Sequence, residues 1–167
     1  MLPNYKKMRN RNFLASMNHA ANGLIYTVRT EKNFRFDICA ALYAVWFAAA
    51  CDFSEMEWAV LALAAGLVLF AETMNTALER AVDAAVNGYD DNARRAKDAA
   101  AGAVLICAIV SVCTGVALFA DMKRLTFAFY EITGSPFRIA VFAALTVFSA
   151  WFVLCFGKNK NDRKGIL

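Results

Sequence analysis

The stretch Leu67-Val-Leu-Phe-Ala-Glu72-Thr-Met-Asn75-Thr-Ala-Leu-Glu79-Arg-Ala-Val-Asp83 places an ionisable residue inside a run that is otherwise apolar back to Trp58. Glu72, Asn75, Glu79 and Asp83 are separated by 3, 4 and 4 residues, the spacing that stacks side chains on one stripe of an α-helix. Three carboxylates and an amide therefore share one helical face. If that helix spans a membrane, a carboxylate at the position of Glu72 costs at least about 2.5 kcal/mol and demands a buried partner or a function. The bland alternative for Glu72 is a polar lock between helices. For Glu79 and Asp83, beside Arg80, it is an ordinary solvated face.

The rest of the chain supports a membrane setting. Of 167 residues, 60% are hydrophobic and 19% charged, against about 25% charged in soluble proteins, and the mean hydropathy is +0.43. So small a domain cannot hide that much apolar surface from water. Ile38–Cys51, Ala99–Ala120 and Ile139–Gly157 contain 14, 22 and 19 residues without a charge. About 20 helical residues cross a hydrocarbon core of about 30 Å. Four spans are expected, over about 34–53, 58–79, 99–120 and 137–157, the first having to borrow Phe34 to Asp37. The runs are long, rich in Ala and Leu and not alternating, which indicates helices rather than barrel strands.

Ahead of the first span, Phe13, Leu14, Met17, Ala20, Ala21, Leu24, Ile25 and Val28 fall on one helical face. This predicts an amphipathic helix over about 12–30 lying in the membrane interface, with packing on protein as the alternative. Lys and Arg number seven in residues 1–36, four in 80–98 and four in the tail beyond 157, against three in the 121–138 loop. That asymmetry predicts both termini and the 80–98 loop in the cytoplasm. No apolar core with a small-residue cleavage site follows the basic start, so no cleavable signal is expected. The net charge of +4 sits in juxtamembrane clusters suited to anionic lipid headgroups rather than nucleic acid. The five cysteines lie in or beside apolar runs without metal-site spacing and read as buried thiols. His19 reads as a solvated surface residue.

Carboxylates at the membrane edge can hold a divalent cation, and Mg²⁺ takes one or two of them together with water and phosphate oxygens. Arg94 and Lys97 can hold phosphate, and a buried carboxylate can act as a general base toward a lipid hydroxyl. These parts suit phosphoryl transfer to a lipid alcohol. A small ion-coupled transporter would also use intramembrane carboxylates, and a non-catalytic scaffold is a third reading.

The segment Glu72 to Asp83, followed by Arg95-Ala-Lys97-Asp98-Ala-Ala-Ala-Gly-Ala-Val-Leu105, resembles the signature of the small bacterial integral-membrane lipid kinases. That family includes prokaryotic diacylglycerol kinase and undecaprenol kinase. Asn22-Gly23-Leu24 and Thr30-Glu31-Lys-Asn33-Phe34-Arg35 are similar to its N-terminal pattern, so the likeness covers about residues 13–122. The resemblance implies an all-α membrane protein with an interfacial N-terminal helix and three transmembrane helices. It implies a homotrimer in the bacterial inner membrane, with active sites between subunits near the cytoplasmic surface. By position, Glu72 would be the catalytic base, and Glu31 and Glu79 would bind the Mg²⁺ that accompanies ATP. Asp83, Lys97 and Asp98 would join Glu31 and Glu79 in nucleotide binding. Asn75, Arg35 and Gly23 would support the polar site or the substrate, Gly23 by permitting close approach of the surface helix. No Walker A loop is present, so ATP binding would differ from that of P-loop enzymes. The N-terminal wording is nearer to the undecaprenol kinases, which favours a polyprenol acceptor over diacylglycerol. Departures are Asp37, where relatives carry Glu or His, and the Asn87–Asn92 loop, which lacks a His after its Tyr. The register around Arg11 and Asn12 also departs, and residues 123–167 add a fourth span and a basic tail.

Overall fold

A computed structural model describes residues 13–156, and they form six helices. These are α1 (Phe13–Thr30), α2 (Lys32–Ala48), α3 (Glu55–Ala85), α4 (Asp91–Phe119), α5 (Met122–Thr133) and α6 (Pro136–Leu154). The basic clusters at 6–11 and 158–164, the register at Arg11 and Asn12, and the last residue expected in the fourth span lie outside the described residues.

Glu31 separates α1 from α2 by adopting an extended backbone, with φ −98° and ψ 116°. Arg35 locks the corner. Its side chain is 6% exposed, and Nη1 donates to the carbonyls of Val28 at 2.8 Å and Arg29 at 3.2 Å. A cation thus satisfies acceptors left over in the last turn of α1, where the helix dipole favours positive charge. On α1, Met17, Leu24 and Ile25 are exposed, so this apolar face is not covered within the chain.

The first predicted span is shorter than expected, because α2 stops at Ala48 rather than near residue 53. Its 17 residues give about 25 Å at 1.5 Å per residue, short of a full hydrocarbon core. The chain tightens there into three-residue bonds, from Ala50 N–H to Phe47 O at 2.9 Å and from Cys51 N–H to Ala48 O at 3.0 Å. Asp52 then turns it at φ 51°, a left-handed conformation in which Asp is several-fold enriched. Ser54 starts α3 with a capping box. Its hydroxyl accepts from Glu57 N–H at 3.4 Å, and Ser54 N–H donates to Glu57 Oε2 at 2.8 Å.

Once started, α3 runs for 31 residues, about 46 Å, and carries the carboxylate stripe beyond its own apolar run. Gly88, at φ 97°, and the Asp90 cap, which accepts from Ala93 N–H at 2.7 Å, turn the chain into α4. The hairpin of α3 and α4 is the most extensive helix pair. Even so, α4 buries no residue, and its apolar surface faces outward.

Residues 121–138, expected to be a loop, contain α5. Charge counting finds only apolar runs long enough to span, so it passes over a 12-residue amphipathic helix. This helix crosses the turn between α2 and α3. Ala128 has no exposure and packs with Ala48, Ala50, Cys51, Phe53 and Leu61. Arg124 pairs with Glu57, and Phe53 stacks against Phe119 with ring centroids 5.0 Å apart. Gly134 ends α5 where a Cβ would lie 2.9 Å from the Tyr130 carbonyl oxygen, closer than side chains tolerate.

Pro136 opens α6 in the first turn, where its missing N–H costs nothing. α6 packs antiparallel on α2. The Tyr43 hydroxyl donates to Thr146 Oγ1 at 3.0 Å, and Phe142 meets Tyr43 and Trp46 with centroids 5.8 and 5.1 Å away. By length and composition α3, α4 and α6 are able to cross a membrane. The five cysteines are free, but only Cys39 and Cys51 are buried, whereas Cys113 and Cys155 are exposed. The expectation of five buried thiols fails because those helices leave one side uncovered. His19 is exposed, as expected.

Filling the Ala128 position tests the docking of α5. Ala128→Leu should destabilise the protein by about 1–3 kcal/mol through overpacking, read as a lower thermal midpoint in detergent, and an unchanged midpoint would show that α5 does not pack on the α2–α3 turn.

Candidate active site

Three of the four polar residues of the α3 stripe sink progressively into the protein. Glu72 is 6% exposed, Asn75 and Glu79 are half-buried, and Asp83 is exposed. Asn75 Nδ2 donates to Glu79 Oε1 at 3.1 Å, which fixes one face of that carboxylate. Asn75 Oδ1 is buried without a partner. Thr76, also buried, donates its hydroxyl back to the Glu72 carbonyl at 3.0 Å, leaving the Glu72 carboxylate free of that helical neighbour.

The charges that act on Glu72 come from Asp37, Glu31 and Glu79. Helices α2 and α3 and the corner between α1 and α2 thus bring four carboxylates toward one region. Glu31 makes no side-chain cap bond to α2, so its carboxylate is available. An acidic cluster at membrane depth is stable only if a cation or protons offset it. Among the described residues no group of three or more His, Cys, Asp or Glu could enclose a metal. A divalent cation held here would have to take most of its shell from phosphate oxygens and water, with no more than one or two carboxylates from the chain. Asp37, a departure from the family pattern, joins the charges that act on Glu72. The signal was present, since Asp37 is an acid adjoining the charge-free run from Ile38, as Glu72 adjoins one.

A second polar region lies around the α3–α4 turn. Lys97 pairs with Asp83, Arg94 with Asp98 at 3.0 Å, and the Tyr89 hydroxyl donates to Asp91 Oδ1 at 2.8 Å. Asp83, Tyr89, Arg94 and Lys97 line a cavity of about 240 Å³. Of the predicted nucleotide residues, Asp83 and Lys97 are in contact. Asp98 joins them through Arg94, which lines the same cavity, and Glu31 and Glu79 belong to the acidic cluster.

Gly23 and Arg35 lie apart from the acidic cluster's own side chains. A Cβ at Gly23 would meet nothing within 4 Å, so the close approach expected there is not made within the chain. Gly23 instead lines a groove of about 460 Å³ with Tyr26, Thr27, Thr73, Thr76 and Arg80, and the Arg80 guanidinium lies 5.3 Å from the centroid of the Tyr26 ring. Arg35 is occupied with the end of α1, at the corner where Glu31 separates α1 from α2.

Residues 18–119 match the family model for prokaryotic diacylglycerol kinase. The chain is 37% identical over 107 residues to an undecaprenol kinase of Bacillus subtilis, covering 64% of this chain and 87% of the relative. It is 40% identical over 105 residues to a diacylglycerol kinase of Synechocystis, covering 62% and 60%. It is 37% identical over 84 residues to a diacylglycerol kinase of Escherichia coli, covering 50% and 69%. No solved structure matches the chain.

Arg35→Leu should loosen α1 by about 2 kcal/mol, the worth of hydrogen bonds from a charged donor. Hydrogen exchange should quicken across 13–30 and stay unchanged in α3 and α4, and unchanged protection of α1 would remove the corner role from Arg35.

Proposed function

Because the chain belongs to the prokaryotic diacylglycerol kinase family, and is thus a phosphotransferase acting on a lipid alcohol, we propose that it transfers the γ-phosphate of ATP to undecaprenol. The observation that supports the site assignment is a carboxylate, Glu72, buried on an apolar helix within electrostatic influence of Asp37, Glu31 and Glu79. Undecaprenol is preferred because the match to the undecaprenol kinase spans most of that relative. Diacylglycerol is the second reading, favoured by the relatives that carry that name. Family membership displaces the transporter and scaffold readings.

In this reading Glu72 accepts the proton of the lipid hydroxyl while that oxygen bonds to the γ-phosphorus and the bond to ADP breaks. Glu31 and Glu79 would hold Mg²⁺, with Glu79 oriented by its hydrogen bond from Asn75. When bound, Mg²⁺ neutralises the phosphate oxygens and positions them for in-line attack. Lys97, steadied by Asp83, faces phosphate, and Asp98 positions Arg94 beside it.

The protein is further proposed to sit in the bacterial inner membrane with α1 on the cytoplasmic surface and both termini inside, as the distribution of Lys and Arg favours. In this arrangement α2 acts as a short span. Assembly as a homotrimer with sites between subunits is supported by α4, which buries none of its apolar residues within one chain.

Purified protein in micelles with Mg²⁺ and γ-labelled ATP should label undecaprenol more efficiently than diacylglycerol. The reverse preference would select the second reading, and labelling of neither by folded protein would overturn the proposal. Glu31→Gln and Glu79→Gln should each raise the Mg²⁺ concentration needed for half-maximal rate, and an unchanged requirement in both would overturn the ligand assignment.

A further inference from the structure

α5 joins two helices able to cross a membrane, α4 and α6, so it lies at the boundary where the first ends and the second begins. Its level there is set by α2. At about 1.5 Å per residue the 17 residues of α2 fall short of a hydrocarbon core of about 30 Å, so the irregular backbone from Ala49 to Phe53 ends at the hydrocarbon edge rather than clear of it. Irregular backbone is tolerated at such a depth only when protein covers it. α5 supplies part of that cover, through the buried Ala128 packed with Ala50, Cys51 and Phe53.

The rest of α5 is laid out around that contact. With about 100° between successive residues, Met122 and Phe129 fall on one flank of Ala128 and Phe127 on the other. All three are exposed, by 72%, 62% and 53%. The side away from Ala128 is polar, carrying Lys123, Thr126, Tyr130 and Thr133, which are exposed as well. Two apolar flanks below a polar back are the layout of a helix lying in a membrane interface. A second copy of the chain docked on one side would cover one flank and leave the other unmatched. A lipid leaflet meets both flanks at one depth.

We propose that α5 is an interfacial helix half sunk into the leaflet opposite α1, with Met122, Phe127 and Phe129 among the acyl chains and Lys123 and Tyr130 at the headgroups. Tyrosine is favoured at that level, and Lys123 meets anionic phosphate there. The helix thereby closes the short end of α2 against lipid with its Ala128 side while its flanks hold the bundle at a fixed depth. α5 lies beyond residue 119, where the family match ends, so the inference rests on α4 and α6 spanning the membrane and requires nothing of the phosphotransfer reading.

Footprinting of the full wild-type chain from both phases tests it, in vesicles of phosphatidylglycerol and phosphatidylcholine. One sample receives a lipid-dissolved photoactivated diazirine and another water-borne hydroxyl radicals, and modified residues are read by mass spectrometry. Phe127 and Phe129 should take up diazirine as strongly as the best-labelled residues of α4 and α6, and be oxidised several-fold less than the exposed Tyr89 of the α3–α4 turn. Tyr130 should be oxidised to the same extent as Tyr89. Oxidation of Phe127 and Phe129 at the level of Tyr89 would overturn the proposal, because α5 would then stand clear of the bilayer. Protection of both from either reagent would also overturn it, since a second copy of the chain would then cover the flanks. Diazirine uptake by Tyr130 without oxidation would do the same by placing the whole helix inside the hydrocarbon. The labelling needs no variant to fold and no turnover, so a chain inactive in phosphotransfer still reports the depth of α5.

Discussion

A carboxylate buried on an otherwise apolar helix is the constraint around which this fold is arranged. Glu72 is 6% exposed, and the charges around it, from Asp37, Glu31 and Glu79, are all negative. Like charges near a buried carboxylate disfavour its ionised form; in the proposed function a cation arriving with the nucleotide would offset them. The helices supply the geometry this requires. α3 continues for several turns past Glu72, so that its stripe grades from buried to exposed. The break at Glu31 lets α1 turn away while leaving the Glu31 side chain free of capping, and Arg35 keeps that corner in place.

The C-terminal helices solve a different problem. α2 is only 17 residues long, and its far end would leave the α2–α3 turn uncovered. α5 lies across that turn with Ala128 fully buried and is tied down by the pair between Arg124 and Glu57. α6 then returns along α2, held by Tyr43 and Thr146. The acidic cluster, on α2, α3 and the α1–α2 corner, is built without either helix.

Much of this was legible in the sequence because membranes punish misplaced charge. The apolar runs located α3, α4 and α6, and the 3, 4, 4 spacing placed Glu72, Asn75, Glu79 and Asp83 on one stripe. What escaped was set by local geometry or by contact. The early end of α2 depends on a left-handed turn at Asp52. α5 is too short and too polar to register as a span. Arg35 has the composition of a site residue, and only its bonds to Val28 and Arg29 reveal a positioning role. Gly23 suggested close packing, yet its surroundings are open. Asp37, like Glu72, is an acid bordering a charge-free run, but it stands out in the sequence only as a departure from the family pattern.

Glu72 is proposed as the base toward the lipid hydroxyl. The most direct measurement is single-turnover phosphotransfer by Glu72→Gln, alongside ATP binding by the same variant. The account predicts a rate lowered by about 10²–10⁴-fold, the range for a general base, with ATP affinity largely preserved. Turnover at the wild-type rate would contradict it.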